Sequence, residues 1–171
     1  MATVAGSIKV TSSFQQTPTT IPGNVTPATN TQSLKADFTS GTTADKVDLK
    51  YSRTLTFASA TAQTLDLSSL TDDYGGAVAF VKIRSLLIRV KSTTDGATLT
   101  VGAAATNPWA AVLGTTGTLI IQSATSSNQA VLLLTAPNTS GYAVSGSSKS
   151  LKLLPSSHAF DVDIEITGTS A

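Results

Sequence analysis

Cysteine is absent from the 171-residue chain, which excludes disulfides, thiolate zinc sites and cysteine nucleophiles. Histidine, tryptophan and glutamate each occur once, as His158, Trp109 and Glu165. A Ser-His-Asp triad could draw only on His158, and no Gly-x-Ser-x-Gly elbow accompanies it, so this histidine is expected in a loop or turn. Charge is scarce: Asp, Glu, Lys and Arg make up 12% of the residues, about half the ~25% usual in soluble domains. With 11 basic against 10 acidic side chains the net charge is +1, which removes the long-range attraction behind non-specific nucleic-acid binding. Neither glycine-rich phosphate-binding signature is present. The longest wholly apolar runs, 77–81 and 130–134, fall far short of the ~20 residues that cross a bilayer. No basic and then apolar leader follows Met1, so a soluble protein without a cleaved secretion signal is expected.

Hydroxyls supply most of the polarity, as 29 Thr and 22 Ser. Threonine is β-branched and serine competes with the helical backbone for hydrogen bonds, so this composition favours strands. Length suits one domain, or one domain with a tail. Residues 1–46 carry Pro18, Pro22 and Pro27 and only scattered large apolar groups, too few to offset the entropy of ordering the segment alone. They read as an extended arm, either disordered or ordered along a neighbouring subunit, with Phe14, Ile21 and Phe38 as its anchors.

From Val47 the pattern alternates strictly, with Val47, Leu49, Tyr51, Leu55 and Phe57 on one side, as in a half-buried antiparallel strand. Further strands are expected at 63–67, 77–91, 97–101, 118–122, 129–135, 142–145, 150–154 and 160–167, separated by Gly-, Asn- and Ser-rich turns. One weak helical turn is expected at 68–74. Residues 47–171 therefore read as an all-β domain, an antiparallel two-sheet sandwich or a barrel. In 81–91 the basic residues move from even positions (Lys82, Arg84) to odd ones (Arg89, Lys91), so a bulge or a change of sheet is expected near 85–87. Asp161, Asp163 and Glu165 share the outward face of the last strand and need basic neighbours.

Those three acids could also suggest glycoside hydrolysis or a cation, yet aromatics that would hold a sugar are only 5% of the chain. The run 71–76, which includes Asp72, is the better calcium loop but reads as a plain turn. Arg53, Lys82, Arg84, Arg89 and Lys91 lie on two faces without interleaved aromatics, which suits a solvated strand or an acidic protein surface more than nucleic acid. Trp109, in Asn107-Pro108-Trp109, is expected to cap one end of the core or to anchor an interface.

The order of the segments 65–72, 78–88, 97–109 and 131–166 resembles that of small virion proteins of tailed bacteriophages. That resemblance implies a jelly-roll-like sandwich sitting on the capsid as a decoration, or cement, protein, commonly as a homotrimer. It implies the major capsid protein as partner, the capsid surface of the virion as location after synthesis in the host cytoplasm, and no enzymatic role. No cofactor, metal, membrane, nucleic acid or small-molecule substrate is expected. Interface residues on this reading are Phe14, Ile21, Phe38, Arg84, Arg89, Trp109 and Tyr142. The rival expectations are a tail, fibre or neck component on the same sandwich, or a carbohydrate-binding module.

Overall fold

Alternation of apolar and hydroxyl side chains drives most of this chain into antiparallel ladders. A computed structural model describes residues 4–16, 28–72, 74–92, 94–123 and 130–171. Strands β1 (Gly6–Gln16) and β2 (Ala28–Ser40) form a hairpin, to which β3 (Lys46–Val47) adds in parallel. There follow β4 (Leu49–Phe57), β5 (Gln63–Asp66), the short pair β6 (Leu70–Thr71) and β7 (Ala77–Val78), β8 (Lys82–Val90) and β9 (Thr98–Gly102). After the single helical turn α1 (Ala110–Leu113) come β10 (Thr118–Gln122), β11 (Ala130–Thr135), β12 (Tyr142–Ala143), β13 (Ser150–Pro155) and β14 (Phe160–Thr169). The one helical turn thus lies at 110–113 and not at 68–74. In the latter stretch Asp66 accepts hydrogen bonds from the amide and hydroxyl of Ser68, a local turn that competes with helix.

Two antiparallel sheets carry the core. One has the order β10-β9-β13-β5, and the other β11-β8-β14-β4 with β12 also beside β8. Leu86, Ile88, Val162, Ile164 and Ile166 from the second sheet join Leu99, Val101, Leu151 and Leu153 from the first in one buried cluster. Burying each such side chain contributes about 1.5–3 kcal/mol, so the shared cluster dominates the stability of the domain.

The shift of polar face within β8 is a bulge. Thr167 of β14 stands opposite Ser85 and Gly168 opposite Ile83, which leaves Arg84 as the extra residue. Inward-facing positions change there from odd (Ile83) to even (Leu86, Ile88, Val90). Arg84 is fully buried; its Nη2 donates to the Thr43 carbonyl at 3.3 Å, while Nε and Nη1 donate to no protein acceptor. Burial lowers its pKa, against the attraction of Asp45.

Residues 1–46 were expected as one extended segment, but the described part is a paired ribbon. Its two strands pair with each other in full register from Gly6 opposite Phe38 to Gln16 opposite Ala28. The expected boundary at 46/47 falls inside β3. The ribbon's root is fixed by backbone hydrogen bonds from Thr39 to Asp45, Gly41 to Val47 and Asp45 to Pro137.

Gly168 allows β14 to pass close to β8 at the bulge. A Cβ there would strike the Lys82 carbonyl and come within 2.8 Å of Phe80 Cδ1. Gly168→Ala is expected to destabilise the protein by about 2–3 kcal/mol in urea unfolding. Gly6→Ala, which meets nothing within 4 Å, should stay within about 0.5 kcal/mol of the parent.

Candidate functional site

The expected interface residues divide into buried staples and exposed groups. Trp109 is only 6% exposed. Its backbone amide donates to Ser150 and its indole Nε1–H to the Ala143 carbonyl at 2.9 Å. Tyr142 meets the indole edge-on, with centroids 6.0 Å apart, and its hydroxyl donates to Thr135. These two aromatics therefore fasten the 107–110 loop and β12 to β13, with Tyr142 left half-buried. Phe38 is 5% exposed and lines a crevice at the ribbon's root with Ile8, Val47, Lys50 and Glu165, so it anchors the ribbon to its own domain. Arg84 ties the 41–45 turn to the β8 bulge. Phe14 alone among the apolar anchors is open to solvent, at 76%. Ile21 lies outside the described residues.

Arg89 belongs to a charged patch on the outer face of β4, β14 and β8. Asp163 accepts from the Thr54 hydroxyl at 2.6 Å and pairs with Arg89, and Lys91 lies 3.5 Å away. Lys50 pairs with Glu165 at 3.4 Å. Asp163 and Glu165 thus have the basic neighbours that their spacing requires, supplied by Arg89 of β8, Lys91 just beyond it and Lys50 of β4. A shallow depression of about 520 Å³ runs along this patch, lined by Arg53, Arg89, Lys91, Asp163 and Glu165. Its mixed signs suit a polar protein surface better than a polyanion. At 71–76, Asp72 accepts from the amides of Tyr74 and Gly76, the geometry of a turn. Among the described residues no group of three or more His, Cys, Asp or Glu gathers to hold a metal ion.

A second feature escaped the sequence reading. Between the sheets, at the edge formed by β10 and β11, lies an apolar cavity of about 230 Å³. Leu86, Val101, Leu151 and Trp109 form its floor, and Val112, Leu113, Leu119, Leu132 and Leu134, all only half-buried, form its mouth. Alternation assigns these leucines to the core, and nothing in the pattern says that the facing strands stop short of closing over them. The unbroken apolar run 130–134 in an edge strand is the one signal available.

Comparison with protein-family models, curated proteins and solved structures finds no match. The functional reading therefore stands on this geometry and on the resemblance in segment order.

Hydrogen bonds from Thr54, and then from Arg89, hold the Asp163 carboxyl below the ordinary value of 3.8. A carboxyl that ionises more readily folded than unfolded stabilises above that value, and the gain is lost as pH falls through the folded pKa. Asp163→Asn is expected to cost about 1 kcal/mol in urea unfolding at pH 7, and the difference should shrink as pH falls below the ordinary carboxylate range.

Proposed function

We propose that the chain is a structural virion protein that binds the outside of a phage capsid and bridges neighbouring capsomers. The observation that carries this reading is strand order. Leaving out the two-residue β12, the other eight strands of the two larger sheets, numbered in chain order from β4 to β14, have the orders 1-8-3-6 and 2-7-4-5. Two interlocked Greek keys give this arrangement, which we take as a jelly-roll sandwich, an architecture common in viral capsid domains. Such a fold does not define an activity by itself. Beside it, the projecting ribbon favours contact with large protein neighbours over capture of a small molecule.

On this proposal three copies pack about a three-fold axis and contact the major capsid protein with the charged outer face, where Arg89 lies. The complex stabilises only the closed shell, because adjacent capsomers must be in place for one trimer to bridge them. Saturation at 100 times the Kd would favour that shell by about 2.7 kcal/mol per bridging site.

Light scattering of the purified chain is expected to give a mass of about 52 kDa, three chains of 17.4 kDa. Added to capsids stripped of accessory proteins, it should co-sediment with them and raise the temperature at which they release DNA. Binding to purified tails but not to capsids would replace the decoration role by a tail or neck role. Binding to neither would overturn the virion reading.

A further inference from the structure

The β1–β2 ribbon has two unlike faces. Directly opposed residues of an antiparallel pair share a face. On one side the register gathers Ser7, Lys9, Thr11, Ser13 and Gln15 with Asp37, Lys35, Ser33, Thr31 and Thr29, without an apolar side chain among them. The other side gathers Ile8 and Val10 with Leu34, Ala36 and Phe38 near the root, and farther out Phe14 stands among Ser12, Gln16, Asn30 and Gln32. Only its root is covered: Phe38 is buried, whereas Val10 is 42%, Leu34 61% and Phe14 76% exposed. A two-stranded ribbon is marginal alone in water, so an amphipathic one is stabilised by whatever covers its apolar side.

The described residues of the same chain enclose the apolar cavity without filling it. An apolar cavity of about 150 Å³ suffices to bind benzene, so the space between β10 and β11 holds a phenyl ring with room for part of a second side chain. Phe14 carries such a ring, and it does not fill the cavity of its own chain. It lies eight residues beyond Gly6 on a strand that rises ~3.4 Å per residue, about 27 Å out from the ribbon's root. That reach carries the ring away from its own domain.

We propose that Phe14 of one copy inserts into the cavity between β10 and β11 of a second copy, with the apolar side of the ribbon laid across that edge. This inference rests on the homo-oligomer reading above and names the contact that holds the oligomer. Ring and socket are different surfaces of one chain, so a one-way contact is heterologous and closes into a trimeric ring when its rotation is three-fold.

Trp109 lines the socket and is the only tryptophan, so its fluorescence reports occupancy. Mass by light scattering and acrylamide quenching of Trp109 should be followed over a dilution series of the full chain. Phe14→Ser is expected to weaken association about 10- to 100-fold and to make Trp109 more quenchable. Val112→Phe, which places a ring of the chain's own in the socket, should dissociate the oligomer while Phe14 remains. Benzene should perturb Trp109 emission in the Phe14→Ser protein and not in the assembled parent. If both variants keep the parent's mass and quenching, the socket proposal is overturned and the oligomer reading stands. A parent chain that is monomeric throughout the series overturns both.

Discussion

Pairing of the last strand between two earlier ones is the constraint on which the architecture depends. β14 lies between β4 and β8, in register with β4 from Phe160 opposite Phe57 to Gly168 opposite Leu49. Its inward residues Val162, Ile164 and Ile166 are 0–1% exposed and form the middle of the core. Its outward acids meet Arg89 and Lys91 from one side and Lys50 from the other. A strand so placed cannot slip by one residue without putting three carboxylates into the core and three aliphatic side chains into water. Because β14 and β4 are far apart in the sequence, this sheet closes through the non-local pairing that makes β domains slow to fold.

Period-two alternation made much of this legible beforehand. The strand at 160–167 and the charge compensation demanded by Asp163 and Glu165 follow from spacing alone. So does the break of parity in β8, which the structure resolves as a bulge at Arg84. What escaped was the destination of particular side chains. Trp109 and Tyr142 are equally well spaced for an interface or an internal staple, and their spacing does not show the 2.9 Å bond from the indole to Ala143 that ties them into the domain. Arg84 reads as a surface cation in sequence, yet the bulge turns it under the 41–45 turn. Composition also hid the ribbon: averaged over 46 residues the arm is poor in apolar groups, although Ile8, Val10 and Phe14 alternate with Lys9, Thr11 and Ser13. Leu34, Ala36 and Phe38 do the same across the ladder. A shorter window would have shown two strands.

The two features left incomplete in one copy complement each other. An amphipathic ribbon has no cover, and an apolar cavity between β10 and β11 has a mouth of half-buried leucines. A chain without cysteine must draw added stability from packing or assembly, and on the socket proposal both features would place it at contacts between copies. The ribbon is held at its root by Phe38 and the Asp45–Pro137 hydrogen bond, so a neighbour receives a projecting element whose base is already fixed. Pre-ordering of this kind lowers the entropic cost of association. A decoration protein that bridges capsomers would gain from it, since a rigid oligomer can span two capsomers without loss on docking.

Amide hydrogen exchange of the full chain, measured at several protein concentrations, tests this account most directly. The account predicts that protection of β1 and β2 rises with concentration as the ribbon is covered, while β8 and β14 stay strongly protected throughout. Ribbon amides whose exchange is the same at every concentration, whether fast or slow, would contradict it.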